Sequence, residues 1–268
     1  VTRALRGLRK ARPAKSRIPM PEETMAAIAA TMMAQGKRTS ALAVLTSQTG
    51  YLRPGEVRNF QCQDLIAPAG GPQASVNVWA LVVAPEERLE PSKTQTFDDT
   101  VRLDQFAWLG PLLDSLRGRR PKTEPLFQAT VEEMVADWKA ALKALGLPDM
   151  VWYQLRHGGA SVVLVERRRP RSEMMARGRW QSDKSVRRYA KASQVQKFLA
   201  TLPLSLRNYS QTALQHLQPI LEGRMRHAPQ LGAKSGPRST KKRPAAALAL
   251  PGTPPDTAAL STLALYHA

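Results

Sequence analysis

Apolar positions at helical spacing run through the first part of the chain. Between residues 25 and 33 large apolar side chains recur every three or four positions, after a proline and two acids at positions 21–23 and before Gly36. Proline and acids favour the start of a helix, and glycine favours its end. The pattern predicts one helix with a buried face, a second helix over about residues 39–50, and a short third helix that begins at Pro54.

The next segment predicts a β-hairpin. β-Branched and apolar residues dominate positions 75–83, and a second strand is predicted over about residues 96–103. The polar segment 85–95 between them is turn-like and carries Lys93 near its tip. These two strands indicate a small antiparallel sheet.

The second half of the chain is predicted to be mostly helical. Thr130 and Glu133 have the spacing of a capping box, and the apolar stripe that follows includes Trp138 as a core residue. Arg156 is expected just before a helix whose inward positions include Val162, Val163 and Val165. Together with the hairpin, these elements predict an α+β fold that is mostly helical, with a small antiparallel β-sheet.

Charge narrows the choice of partner. The chain carries 40 Lys and Arg against 21 Asp and Glu, a formal net charge of +19. This surplus favours a polyanion, and double-stranded DNA is the expected partner because basic residues run through the segments that carry the motifs. A membrane surface fits less well, since no long segment pairs an apolar face with a basic one and no run approaches about 20 apolar residues.

The cysteine and histidine content bears on cofactors. A single cysteine, Cys62, excludes an internal disulfide framework and is compatible with a reducing, intracellular compartment. The four histidines are scattered, and their spacing matches no zinc site. We therefore expect no metal and no other cofactor.

Four side chains suited to phosphate chemistry follow one another along the chain. Arg53 stands in TGYLRPGEV and Arg156 in YQLRHGGAS, Trp180 ends a GRW turn, and Tyr189 lies nine positions beyond it. Guanidinium groups clamp phosphate oxygens, and a phenol can act as a nucleophile. The spacing indicates a phosphate-attacking site in which Tyr189 is the nucleophile, on a helix capped by residues 182–183.

These motifs, in this order, resemble the catalytic domain of tyrosine recombinases, the phage-integrase family. TGYLRPGEV is similar to the family's Thr-Gly-x-Arg-x-x-Glu region, with one more residue between Gly50 and Arg53. YQLRHGGAS looks like the His-x-x-Arg-His segment, with Tyr153 in the place of the usual histidine. GRW followed by Tyr189 is similar to the family's Gly-His/Trp turn and nucleophile. The resemblance covers about residues 17–201 and implies a tyrosine-recombinase-like fold.

The resemblance also implies catalytic roles. Arg53 and Arg156 would clamp the non-bridging phosphate oxygens, and Trp180 would support the phosphate. Lys93 would protonate the departing 5′ oxygen. Tyr189 would form a 3′-phosphotyrosyl link that a second 5′ hydroxyl can reverse, so DNA would be broken and rejoined without ATP or metal.

Tyr153 completes the catalytic set and would donate a hydrogen bond to the phosphate. Glu56 and His157 have supporting roles: Glu56 would orient Arg53, and His157 is expected to be packed or hydrogen-bonded. A set of basic residues is expected to contact the DNA backbone, with the cluster 167–171 as a solvated loop: Arg167, Arg168, Arg169, Arg171, Arg179, Lys184, Arg187 and Arg188.

The resemblance and the composition together divide the chain into four parts. Residues 1–17 are expected to form a basic arm or interdomain linker, 18–202 the catalytic domain, 203–227 a C-terminal helical extension, and 228–268 a disordered tail rich in basic residues, Pro and Ala. The tail contains Lys-Lys-Arg-Pro, a weak nuclear address. We expect an intracellular, DNA-associated location, nuclear in a eukaryote.

Family members assemble as tetramers on paired DNA sites, so a homotetramer on DNA is expected here. Two rival functions remain open. A type IB topoisomerase shares the chemistry without exchanging partners. A degenerate, integrase-derived DNA-binding protein is suggested by Tyr153 and by the basic arm that stands where the family has a separate helical domain. A metal-dependent nuclease fits poorly, because Asp98 and Asp99 are adjacent and typical of a hairpin.

Overall fold

Helices make up most of the part of this protein that the structure describes. The computed structural model describes residues 18–70, 77–89, 96–182, 186, 189 and 192–229. This part of the chain is mostly helical with a small antiparallel sheet, which confirms the predicted α+β class. The elements are α1 (Glu22–Ala34), α2 (Arg38–Thr49), α3 (Pro54–Asn59), β1 (Leu65–Ile66), β2 (Ala80–Val83), β3 (Asp99–Arg102), α4 (Leu109–Arg117), α5 (Val131–Ala144), α6 (Tyr153–Val165), α7 (Arg171–Gly178), α8 (Ala192–Thr201), α9 (Leu204–Gln215) and α10 (Leu217–Leu221).

The sheet joins the three strands in the order β1, β2, β3, all antiparallel. Leu81 of β2 pairs with Leu65 on one side and with Val101 on the other, and all three side chains are buried. Side chains alternate along a strand, so this row faces the core. The predicted hairpin is confirmed, with shorter strands than the sequence suggests. Its tip, including Lys93, lies outside the described residues.

Helix α1 is enclosed on all sides rather than on one face. Helices α2, α5, α9 and α10 pack around it, and every residue from Thr24 to Met32 is buried. Alanines at positions 26, 27, 29 and 30 present little bulk, so neighbouring helices can approach closely. The sequence predicts only one buried face, because alanines add too little hydrophobicity to mark a second one.

Helix α5 forms as the sequence predicts. The backbone N–H of Glu133 donates to the Thr130 hydroxyl over 3.1 Å, and the N–H of Thr130 donates to the Glu133 carboxylate over 2.8 Å. Trp138 is buried, and its indole N–H donates to the carbonyl oxygen of Met150 over 2.7 Å. The capping box and the core role of Trp138 are therefore both confirmed.

Helix α6 begins earlier than the sequence predicts. Its first residue is Tyr153, so Arg156 lies inside it rather than before it. Of the valines expected to point inward, Val165 is 47% exposed. Helix α9 begins directly after Pro203, at the start of the segment 203–227 that is expected to be a helical extension. A proline ends one helix but also suits the start of the next, and α9 packs along α1.

Two glycines bring α6 against the backbone of its neighbours. A Cβ atom at Gly158 would stand 2.0 Å from the carbonyl oxygen of Met20, and one at Gly159 would stand 1.9 Å from that of Gln48. Both contacts are with backbone atoms, so any larger residue would push α6 away. This close approach fixes the first turns of α6.

The buried apolar side chains form two clusters. The larger cluster joins α1, α2, α5 and α9 to the sheet. The smaller cluster lies where α6 and α7 meet the loop after α2, with Trp180 packed against it, and its buried members are Tyr51, Ala160, Val163, Met174 and Tyr189.

Candidate functional site

A row of aromatic rings runs through the smaller cluster. The ring centroid of Tyr153 is 5.1 Å from that of His157, which is 4.8 Å from that of Tyr189. Tyr189 stacks on Trp180 at 4.4 Å with the rings inclined by 29°. Trp180 in turn stacks on Tyr51 at 6.1 Å and 13°. Side chains from α6, from the loop after α7 and from the loop after α2 therefore meet around the predicted nucleophile.

The backbone around Tyr189 is held by two hydrogen bonds. Its N–H donates to the carbonyl oxygen of Val186 over 2.9 Å, and the hydroxyl of Ser161 on α6 donates to its carbonyl oxygen. Val186 is helical and Tyr189 lies in a turn. Tyr189 is 6% exposed, so its ring is packed inside the protein. The predicted cap at residues 182–183 lies partly outside the described residues.

Arg156 lies at the base of the row and is 1% exposed. Its guanidinium donates to the carbonyl oxygens of Tyr51 and Gly178, and its Cζ lies 5.4 Å from the ring centroid of Trp180. Its Nε is buried and has no hydrogen-bond partner among the described residues. No described carboxylate forms an ion pair with Arg156. A buried cation with only carbonyl partners retains attraction for an anion.

Arg179 enters the same place from the turn before Trp180. Its guanidinium donates to the carbonyl oxygen of Tyr51 over 3.2 Å and to the carboxylate of Glu56 over 2.6 Å. Burial lowers the pKa of Arg179 to about 10; the carboxylate of Glu56 opposes this shift, and the charges of Arg156 and Arg53 add to it. Arg179 is thus enclosed, unlike the exposed DNA contact that the sequence predicts.

Glu56 forms ion pairs with two arginines at once. It accepts hydrogen bonds from the backbone N–H and the guanidinium of Arg53, each over 2.6 Å, in addition to the one from Arg179. The side chains of Arg53 and Glu56 are 16% and 9% exposed. Arg53 is therefore the most accessible cation of the group, and Glu56 fixes its direction.

These contacts leave a surplus of positive charge. Arg53, Arg156 and Arg179 supply three positive charges, and Glu56 is the single carboxylate that ion-pairs with any of them in the described part of the chain, a surplus of two. A protein interior tolerates such a surplus poorly unless an anion neutralises it. The predicted residues Arg156, Trp180 and Tyr189 are thus in direct contact, and Arg53 is linked to them through Glu56 and Arg179, around a site suited to an anion.

Two backbone turns at the site adopt an uncommon conformation. Tyr51 has φ of 48° and Arg179 has φ of 52°, values in the left-handed region that cost a non-glycine residue about 1 kcal/mol or more. The hydroxyl of Tyr51 is also buried without a hydrogen-bond partner among the described residues. Burial raises the pKa of Tyr51 to about 12, with the charge of Arg177 opposing the shift.

A pocket of about 180 Å³ opens beside this group and is lined in part by Arg179 and Trp180. Asp99 and Thr96 line another side, and the Thr96 hydroxyl donates to the Asp99 carboxylate over 2.6 Å. Trp180 is half-buried. The pocket therefore connects the edge of the aromatic row to solvent.

A second arginine network holds α7 against the sheet. The carboxylate of Asp104 accepts hydrogen bonds from both terminal nitrogens of Arg169, each over 2.8 Å, and from one terminal nitrogen of Arg177 over 3.0 Å. Arg177 is buried, and it also donates to the carbonyl oxygens of Thr49 and Arg102. Arg169 is only 13% exposed, so it differs from the solvated loop residue that the sequence predicts.

The remaining basic candidates divide into three groups. Arg168 ion-pairs with Glu22 and with Glu166, which ties the loop before α7 to the start of α1. Arg167 and Arg171 are exposed. The rest lie outside the described residues, namely Lys93, Lys184, Arg187 and Arg188.

Some residues of the site are not apparent from the motifs. Arg156 and Arg179 both donate hydrogen bonds to the carbonyl oxygen of Tyr51. The hydroxyl of Ser161 donates to the carbonyl oxygen of Tyr189 and so holds its backbone in place. The one sequence signal for Tyr51 is the extra residue between Gly50 and Arg53. Ser161 carries no signal of its own, because a serine on a helix usually faces solvent.

No family model, curated protein or solved structure matches this chain. Among the described residues, no helix has both the length and the apolar character to cross a bilayer. The same residues contain no group of three or more His, Cys, Asp or Glu placed to hold a metal ion. Function is therefore inferred from the side chains that meet at the site.

Proposed function

We propose that this protein breaks and rejoins DNA through a transient covalent bond between Tyr189 and a backbone phosphate, on a tyrosine-recombinase-like fold. The observation that carries the proposal is the pair of positive charges left unneutralised on Arg53, Arg156 and Arg179, of which Arg156 lies against Trp180 in the aromatic row that contains Tyr189. A phosphodiester is an anion whose oxygens suit guanidinium donors. Proximity of such donors to a phenol favours attack on phosphorus.

The reaction exchanges one phosphodiester for another. The oxygen of Tyr189 bonds to phosphorus, and the bond from phosphorus to the 5′ oxygen breaks, which leaves a 3′-phosphotyrosyl link. The phenol proton passes to water or to the neighbouring imidazole of His157. Lys93, which lies outside the described residues, is proposed to protonate the 5′ oxygen. A 5′ hydroxyl then reverses the step, and no ATP or metal is needed because the bond energy is conserved.

The cations at the site favour this attack through the phosphate. Two clamping arginines stabilise the negative charge that builds on the phosphate oxygens. We assign the clamp to Arg53 and Arg156, with Glu56 orienting Arg53. Trp180 supports the phosphate, and Tyr153 donates to it in the place of an imidazole.

The partners follow from this chemistry. Double-stranded DNA is the substrate, and exchange between two sites requires several copies of the chain, for which a homotetramer is proposed. A version without exchange, as in a type IB topoisomerase, would relax supercoils with the same residues. Measuring supercoil relaxation beside strand exchange separates these two outcomes.

A second candidate is a DNA-binding protein that has lost catalysis. The observation that favours it is the burial of Tyr189, which is 6% exposed and in contact with both Trp180 and His157. Its ring must leave this stack to reach a phosphate. Tyr153 adds to the case, because a phenol is a poorer proton shuttle than an imidazole near neutral pH.

One experiment decides between the two candidates. A pool of nicked duplexes, in which the released strand diffuses away, is incubated with the parent, with Tyr189→Phe and with Tyr209→Phe as the matched control. Adducts that survive SDS are expected from the parent and from Tyr209→Phe, and none from Tyr189→Phe. Salt-sensitive binding without any adduct from the parent would favour the non-catalytic protein. An adduct from Tyr189→Phe would show that another residue is the nucleophile.

A further inference from the structure

A second basic pocket lies at the far end of helix α3 from Arg53. Its volume is about 470 Å³. The residues that line it include two arginines, two amides and a hydroxyl, and no carboxylate, as follows: Arg58, Asn59, Phe60, Gln61, Arg88, Thr123 and Pro125. Such a lining suits a single anionic group with several hydrogen-bond acceptors.

The two arginines of the pocket differ in how they are held. Arg88 donates to the carbonyl oxygen of Asn59 over 2.7 Å and to the carboxylate of Asp64, which fixes its guanidinium in place. Its Nε is buried and has no partner among the described residues. Arg58 is exposed, and its Nε donates to the side chain of Asn59 over 3.1 Å. No described carboxylate forms an ion pair with Arg58.

The floor of the pocket is a rigid piece of backbone. The N–H of Leu126 donates to the carbonyl oxygen of Phe60 over 2.8 Å, and the N–H of Cys62 donates to that of Glu124 over 2.9 Å. These bonds hold the loop that carries Thr123 beside the end of α3. Asp64 is buried and accepts from Arg88 and from the N–H of Gln61, so this ion pair neutralises Arg88 and leaves Arg58 as the uncompensated cation of the lining.

The position of the pocket relates it to the candidate site. Arg53 directly precedes α3 and Arg58 is its fifth residue, so one short helix links the candidate site to the pocket. DNA carries a closely spaced row of phosphates, so a duplex bound at Arg53 presents further phosphates to the neighbouring surface.

We infer that Arg58, Arg88 and Thr123 form a subsite for a second backbone phosphate of the DNA whose cleaved phosphate lies at Arg53. This inference rests on the proposed function, since it takes DNA as the ligand. The subsite fixes the register of the strand on the protein rather than its sequence, because phosphate contacts carry no base information.

The test measures equilibrium binding to a nicked duplex in the Tyr189→Phe background, where no adduct forms. Adding Arg58→Ala is expected to weaken binding about tenfold at low salt and to reduce the slope of log affinity against log salt by about one. Arg58→Lys should restore the slope. Arg207→Ala, which removes an exposed arginine of α9, should leave both quantities unchanged. Thermal melting checks that Arg58→Ala remains folded.

Replacing single phosphates of the duplex by uncharged methylphosphonates locates the contact. One substitution, at a phosphate other than the cleaved one, should weaken binding by the Tyr189→Phe protein and have no further effect once Arg58→Ala is present. Equal slopes with and without Arg58→Ala would overturn the subsite, and adduct formation by the parent would then leave the proposed function standing. A reduced slope without any parent adduct would support the subsite and overturn catalysis. No binding by any variant would overturn both.

Discussion

The guanidinium of Arg179 donates a hydrogen bond to the carboxylate of Glu56 over 2.6 Å, although 123 positions separate the two residues in the chain. The same carboxylate accepts from Arg53 over 2.6 Å. One negative charge thus holds the turn before Trp180 against the start of α3. It also limits the repulsion between the guanidinium groups that meet at the site.

Replacing Glu56 by glutamine should therefore destabilise the fold. Glutamine keeps the shape of the side chain but removes the charge, so the arginines around it are left without a neutralising partner. Loss of one member of a buried ion pair typically costs about 3–5 kcal/mol. Urea unfolding of Glu56→Gln should show a loss of this order.

The matched control for this change is Glu132→Gln, because Glu132 is exposed on α5. It should unfold close to the parent. Inorganic phosphate or sulfate should recover part of the stability of Glu56→Gln, since an anion bound among the arginines replaces the missing charge. If Glu56→Gln were as stable as Glu132→Gln, the three arginines would not depend on this carboxylate.

Removing the hydroxyl of Tyr51 is expected to do no harm. The hydroxyl is buried without a partner among the described residues, so Tyr51→Phe removes an unsatisfied polar group. We expect no loss and a gain of up to about 1 kcal/mol in the free energy of unfolding. The measurement is the urea midpoint, with the adduct yield as a second readout.

Tyr209→Phe provides the contrast for that variant. The Tyr209 hydroxyl lies 3.2 Å from that of Thr31 and donates to the carbonyl oxygen of His227 over 3.0 Å, so its removal should cost about 1 kcal/mol. A loss of 1 kcal/mol or more in Tyr51→Phe would contradict the assignment of its hydroxyl as unpartnered. Weaker DNA binding by Tyr51→Phe at unchanged stability would identify that hydroxyl as a ligand of the phosphate.

Much of the fold could be predicted from local patterns. The capping box at Thr130, the hairpin and the helix that begins at Pro54 all depend on residues close together in the chain. Local sequence patterns do not predict the features of the fold that depend on tertiary packing. Helix α1 is buried all round because neighbouring helices, α2, α5, α6, α9 and α10 among them, enclose it, and no periodicity within α1 indicates those neighbours.

The candidate site shows the same limit. The motifs indicated Arg53, Arg156, Trp180 and Tyr189, and the structure brings these side chains into one connected group. The carbonyl oxygen of Tyr51 and the left-handed backbone at Arg179 are part of that group as well. The residue types at these positions do not reveal the backbone carbonyl contact or the φ angle. The sequence therefore locates the charged and aromatic groups, but not the backbone that orients them.

The ion pairs of Asp104 predict an acid-sensitive step in stability. Burial opposes ionisation of Asp104, but the hydrogen bond from Arg169 and the charges of Arg177 and Arg169 outweigh it, so the pKa of Asp104 lies below its usual value of 3.8. A carboxyl whose pKa is lowered on folding stabilises the protein above its usual pKa, and this contribution is lost as the pH falls below 3.8 towards the lowered value.

Asp104→Asn should therefore be less stable than the parent near pH 7 and should lose less stability on acidification. Urea midpoints measured at intervals from about pH 7 to pH 3 would show a flatter profile for the variant. Asp149→Asn is the control, because Asp149 is exposed, and it should keep the slope of the parent. Equal acid slopes for Asp104→Asn and the parent would mean that other carboxyl groups govern the acid response.

The contact between α6 and α2 gives the last prediction. A Cβ atom at Gly159 would lie 1.9 Å from the carbonyl oxygen of Gln48, and backbone atoms on both sides leave little room to yield. Gly159→Ala should therefore cost about 1–3 kcal/mol in urea unfolding and shift α6, which carries Arg156 and Ser161. The yield of covalent adduct should fall by more than the loss of folded protein accounts for.

Gly55→Ala is the control, because a Cβ atom there meets nothing within 4 Å. Alanine also restricts the unfolded chain, so this variant should be as stable as the parent or more so. Equal stability of the two variants would show that α6 can move away from α2 without cost.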